Sequence, residues 1–416
     1  MLCRKPRLCL APAAFCFDHV MRGFCRKATC CVSGSSVQLY DNPYKRGGVF
    51  DGVGSILTCA VVNSPASPSR ILVMKYFSHD EAADFLSVVT SKHLAVDVIG
   101  RKLGGTVVSC SNEWFAEASN LLEPRAPTRD ATKFVYAGAW YDGWETRRHN
   151  EEEYDWVILK MGVAAARIVG CEVDTAFFNG NHAPEISVDA LYSESDDEIL
   201  ETDDRWEEVI PKKECGPSQR HFMLRDTATE GSYTHVKLKM YPDGGIARFR
   251  LYGRVTPPAS LTASSDPIDL ASVCNGGVTL CVSDQHFGSA DNILLPGRGH
   301  DMSDGWETTR SRAPGHVDWA IVQLGRRSSR ITSIIVDTAH FRGNFPQFIT
   351  VHGIDSTSPT PPAHDDPKWF TLVDKSKTGP DAEHIYEIKD FNVNATHVKL
   401  TMIPDGGLKR IRVFGN

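Results

Sequence analysis

"THVKLKMYPDGGIARFRLYG" occupies residues 234–253, and "THVKLTMIPDGGLKRIRVFG" occupies 396–415. In the first copy Val236, Leu238 and Met240 alternate with His235, Lys237 and Lys239. A period of two sends successive side chains to opposite faces, so the segment predicts a half-buried strand. "PDGG" at 242–245 supplies proline and glycine where a turn needs them. Phe249 and Leu251 then alternate with Arg248, Arg250 and Tyr252, which predicts a second strand after a tight loop. The second copy repeats thirteen of the twenty residues, so the strand–loop–strand unit occurs twice.

Other blocks recur in the same order. "VDTAFFNGN" (173–181) matches "VDTAHFRGN" (336–344) at seven of nine positions, and "DGWET" stands at both 142–146 and 304–308. A weaker pair, "GGTVVSCSNEWFAEASNLLEP" (104–124) and "GGVTLCVSDQHFGSADNILLP" (276–296), lies 172 residues apart, whereas later blocks lie 162 or 163 apart. One insertion of about ten residues before the first DGWET, "RAPTRDATKF" (125–134) or its neighbours, accounts for the change. Units this long are domains, not solenoid repeats.

"DWVILKMG" (155–162) and "DWAIVQLG" (318–325) read as buried strands, and the best helical pattern is "DEAADFLSVVTS" (80–91). Many short strands with Gly/Pro turns predict an all-β protein of two tandem β-sandwiches from an internal duplication. The boundaries are 78–255 for the first repeat, 256–264 for a Pro/Ser/Thr-rich linker and 265–416 for the second repeat. Residues 1–77 form an N-terminal extension expected to be poorly ordered. The acidic "ESDDEILETDDRWEE" (194–208) and Pro-rich "DSTSPTPPAHDDPKWF" (355–370) read as solvated loops, each reaching a tryptophan.

The chain has 416 residues, 41% hydrophobic and 23% charged, with net charge −7. That is globular composition, with no basic excess for nucleic acid and no apolar run long enough for a membrane helix. Six of the twelve cysteines fall in the first 31 residues, and no CxxC pair suggests zinc. Reduced thiols in an intracellular protein, cytoplasmic or peroxisomal, are expected. The same 31 residues carry six Lys/Arg against Asp18, which reads equally as an organelle transit peptide or as a non-functional extension or misplaced start.

Asp142, Trp144, Glu145, Arg147 and Arg148, with Asp304, Trp306, Glu307 and Arg310, offer carboxylates, an aromatic wall and guanidinium groups, a set that suits a small polar anion. The same residues could instead pin a loop with internal ion pairs around a core tryptophan. The VDT blocks add Asp174 and Asn181, then Asp337, His340 and Asn344. His340 replaces Phe177, so the two repeats are not expected to hold equivalent sites.

Taken together, "DGWETRR" (142–148), "VDTAHFRGN" (336–344) and "MIPDGGLKRIRVFG" (402–415) resemble the allantoicase family over roughly 80–416. Ala139 in "GAWYDGWET" and the "EEEYDW" stretch (151–156) depart from the family pattern, whereas the second repeat keeps Gly315 and His316 before Asp318. The resemblance implies paired jelly rolls like galactose-binding or discoidin domains, and a homo-oligomer. It also implies hydrolysis of the small molecule allantoate to ureidoglycolate and urea. On that chemistry Arg147 or Arg310 would clamp the substrate carboxylate. Glu145 or Glu307, with Asp174 or Asp337, would hold ureido groups or move protons, and His340 would be acid/base in the second repeat. Asn181 and Asn344 would hold carbonyl oxygens or close turns, while Asp142, Trp144, Asp304 and Trp306 would border the substrate. No cofactor is required, with a divalent metal left open. The rival expectations are a non-catalytic ligand-binding sandwich and a hydrolase of ureidoglycolate.

Overall fold

The computed structural model describes residues 57–61, 71–196, 199–258, 266–389 and 393–416. The basic, cysteine-rich first 31 residues, for which a transit peptide was an expectation, therefore lie outside the described residues. Each repeat is a jelly-roll sandwich of two antiparallel sheets. In the first, one sheet runs Leu57–Val61, Ile71–Phe77, Arg220–Arg225, Ala165–Asp174, Arg248–Thr256, Val96–Asp97. The facing sheet runs Glu207–Glu214, Glu185–Leu191, His235–Tyr241, Asp155–Lys160, Thr106–Cys110. The second repeat packs Ile268–Asp269, Arg410–Gly415, Ile331–Asp337, Glu383–Glu387 against Val278–Val282, Asp318–Ser328, Ala395–Ile403, Phe348–Ile354, Phe370–Lys377.

The motif that predicted two strands is not a hairpin. His235–Tyr241 and Arg248–Thr256 lie in opposite sheets. The alternation explains why. Val236, Leu238 and Met240 on one strand and Phe249 and Leu251 on the other are all fully buried in one core, so the apolar faces meet across the sandwich. PDGG is therefore an arch over the sandwich end. Its last residues, Gly245–Ile246, pair with Trp144–Glu145, and Gly407–Leu408 pair likewise with Trp306–Glu307. A Cβ on Gly245 would sit 2.2 Å from the Phe178 ring, and one on Gly407 2.1 Å from Phe341. Only glycine lets the arch close against the VDT turn.

Ile71–Phe77 was expected in the extension. It is a strand of the first sandwich, paired with Arg220–Arg225, because Leu72, Met74 and Phe77 need a core to enter. The predicted helix exists as Ala82–Ser87, continuing into a wider turn over Val88–Lys92. It lays Phe85 against Phe77, Phe222 and Tyr252. In the acidic and Pro-rich loops Trp206 donates its indole N–H to Leu200 O, and Trp369 to Ala363 O. Lys237 and Lys399 stand over the two rings.

Candidate functional site at the arches

The DGWET strand, the VDT turn and the PDGG arch converge at the same end of each sandwich. They bring some of the expected residues together and remove others.

Trp144 and Trp306 are fully buried core side chains, not an aromatic wall. Each indole N–H donates to a loop carbonyl, Asn112 O at 2.8 Å and Asp284 O at 3.0 Å. The first aspartate of DGWET lies behind the strand. Asp142, 1% exposed, accepts from Arg248 Nη2 at 2.9 Å, Arg125 Nη1 at 2.6 Å and the Thr128 backbone N–H at 2.9 Å. Burial opposes its ionisation, but these donors hold its carboxyl below the usual range. Asp304 pairs with Arg410 and Lys409. Asp174 and Asp337 are buried and accept the backbone N–H two residues on, at 2.8 Å from Ala176 and Ala339. Asp337 also takes both prongs of Arg298, each at 2.8 Å. These four carboxylates pin loops.

His340, expected as acid/base, does not border the cleft. It holds the left-handed position of its turn, φ 68°, as Phe177 does at φ 70°. The turn's left-handed residue therefore precedes its glycine by three positions. The His340 backbone N–H donates to Asp381 Oδ1 at 2.8 Å.

What remains together is Glu, Asn, Arg and an arch aspartate. In the second repeat Asn344 Nδ2 donates to Glu307 Oε1 at 2.7 Å, which orients the half-buried carboxylate. Glu307, Arg310 and Asn344 line a cleft of 560 Å³ with Asp405, His286, Phe287 and Gln347 among its other walls. Arg310 is exposed and makes no hydrogen bond or ion pair among the described residues. Asp405 Oδ2 accepts the Ser311 backbone N–H at 2.7 Å.

In the first repeat Asn181 Nδ2 likewise donates to Glu145 Oε1 at 2.7 Å. Arg148, however, is committed inward. It donates to Asp243 Oδ1 at 3.0 Å, to Glu145 Oε1 at 3.2 Å and to Asn181 O at 2.9 Å. Glu145 is 4% exposed, its Oε2 accepts no hydrogen bond, and burial pushes its carboxyl up. A 620 Å³ cleft lies outside, lined by Asn112, Phe115, Arg147, Arg148, His149, Asn150, Glu151 and Asp155. Neither Glu145 nor Asn181 reaches its wall. Arg147, expected as the clamp, points over the Trp114 ring at 5.2 Å.

Sequence reasoning named Arg148 among the guanidinium groups but gave the clamp to Arg147, and it missed the arch aspartates. The DGWET register already aligns Arg148, not Arg147, with Arg310. Asp243 and Asp405 sit in the best-matched block but read there as turn composition. Among the described residues no group of three His, Cys, Asp or Glu converges to hold a metal ion.

An allantoicase repeat model matches residues 96–256 and again 268–416. The chain belongs to the allantoicase family. The Saccharomyces cerevisiae allantoicase is 66% identical over 344 residues, covering 82% of this chain and 100% of that one. The Neurospora crassa allantoicase is 53% identical over 329 residues, 78% of this chain and 92% of the other. A crystal structure of the S. cerevisiae allantoicase aligns at TM-score 0.74 and 64% identity, over 82% of this chain and all of that one.

Proposed function

We propose that this chain hydrolyses allantoate to ureidoglycolate and urea. The observation that carries the reading is Arg310, a guanidinium with no partner among the described residues, beside a carboxylate held by an amide, Glu307 with Asn344, in an allantoicase-family cleft.

Allantoate has a carboxylate on a carbon that bears two ureido groups. Arg310 grips that carboxylate through two parallel hydrogen bonds. Urea leaves poorly unless its nitrogen is protonated, and the Glu307 side chain delivers that proton. The C–N bond breaks toward urea, leaving an iminium carbon conjugated to the remaining ureido nitrogen. Water adds there and returns a proton to Glu307, so the carboxyl is regenerated and the balance is one water consumed. Asn344 keeps Glu307 aimed, and Asp405 accepts a ureido N–H.

We further propose self-association into a homo-oligomer, for which the exposed Phe134 and Tyr136 on the inserted hairpin offer apolar surface. Light scattering reads it directly.

The test of the activity is to give the purified full chain allantoate and to follow both products. Equimolar urea and ureidoglycolate support the reading. A folded chain that binds allantoate and releases nothing would make it a binding sandwich. Consumption of ureidoglycolate in place of allantoate would make it the other hydrolase.

A further inference from the structure

We propose that only the second repeat turns substrate over, and that the first is a latched copy whose arginine is spent internally. The inference rests on the functional reading above and assigns it to one of two superficially equal sites.

The chemical groups are the same: Glu145 with Asn181, Arg148 and Asp243 match Glu307 with Asn344, Arg310 and Asp405. Their states differ. Arg148 spends its donors on Asp243, Glu145 and the Asn181 carbonyl, so clamping an incoming carboxylate would require breaking three hydrogen bonds. Arg310 breaks none. Glu145 is sealed from the neighbouring cleft, whereas Glu307 lines its own.

The loop after DGWET causes the difference. In the second repeat the backbone N–H that caps the arch aspartate comes from Ser311, directly after Arg310. In the first it comes from Asn150, two residues after Arg148, at 3.1 Å from Asp243 Oδ2. The intervening residue, His149, adopts φ 65°. This one-residue bulge accompanies an arginine turned back onto Asp243 and the Glu145–Asn181 pair. The loops also differ in length, since "HNEEEYD" (149–155) takes up the extra residue at His149 and is still one residue shorter than "SRAPGHVD" (311–318). The second repeat also keeps a His316–Asp318 pair at 3.1 Å, where the first has Tyr154 bound to Glu201 at 2.6 Å.

The experiment compares Glu307→Gln with Glu145→Gln in the full chain, reading kcat for urea release, with thermal midpoints as folding controls. Glu307→Gln should lose about a hundredfold or more, the scale of a general acid. Glu145→Gln should stay within about twofold, because no proton of the reaction passes through it. Asp243→Asn serves as a second latch variant if Glu145→Gln folds poorly, and it too should keep kcat. Equal losses from both glutamines, or a larger loss at Glu145, would overturn the assignment while leaving the activity standing. A wild-type chain that releases no urea would fail the functional reading instead. Equilibrium dialysis with allantoate then decides the assignment: one molecule bound per chain, lost in Arg310→Ala, supports it, and two bound, or retention in that variant, overturns it.

Discussion

The two repeats share their sheets and part company at their tips. Both bury a tryptophan behind the DGWET strand, close an arch on a glycine and orient a glutamate with an asparagine. Yet one arginine is locked among three acceptors, and the other has no partner among the described residues. Duplication preserves what the core needs. The two tips are built from the same groups and differ where His149 stands between Arg148 and the residue that caps the arch aspartate.

The largest expected effect is on stability in the first repeat. Asp142→Asn leaves Arg248, 2% exposed, without its counter-charge, and should cost about 3–5 kcal/mol in chemical unfolding. The sign with pH follows from the direction of its shift. The folded-state value is depressed, so the contribution is complete above the unfolded value of 3.8 and is lost as pH falls through the lower, folded one. The variant's unfolding free energy should therefore fall less steeply on acidification than the wild type's. A parallel slope would show that Asp142 is not held ionised.

Next in size, Arg310→Lys should lower kcat/KM by roughly tenfold to a hundredfold, since a point charge cannot replace a planar fork. Arg148→Lys should leave kcat/KM unchanged and show its effect in the melting temperature. An equal kinetic loss would join the two sites again. A smaller effect separates the arch aspartates. Asp405→Asn should raise KM several-fold, whereas Asp243→Asn should cost about 1 kcal/mol of stability. The smallest concerns the turns. His340→Gly relieves a left-handed backbone and should add about 0.5–1 kcal/mol of stability with kcat unchanged. A tenfold fall in kcat would return His340 to the reaction.

Much of the architecture was legible because apolar alternation is a local signal. Val236, Leu238, Met240, Phe249 and Leu251 each announce an inward side chain. Whether two such strands pair side by side or face each other is a long-range fact, and a tight loop reads the same in either case. The site was legible only in part. Glu307, Asn344 and Arg310 were found because their types suit the chemistry. The same rule also selected Asp142, Trp144, Asp304 and Trp306, since charge and aromaticity do not reveal burial. Arg148 and Arg310 look alike in sequence because their difference lies in a backbone bulge at His149.

One feature of the loop anchors reaches beyond catalysis. In the first repeat Asp142 is neutralised from outside the arch by Arg125 of the inserted segment, and Ala247 follows the arch pairing strand. In the second, the matching position is Lys409, which neutralises Asp304 from within, while Arg298 serves Asp337 instead. The same electrical requirement has been met by cations that enter from different parts of the chain. The halves can then no longer recombine freely. An arch transplanted from the second repeat into the first would bring a buried lysine to a carboxylate already saturated, and the reverse exchange would leave Asp304 with one partner fewer. Two separately tolerable solutions have become mutually incompatible parts.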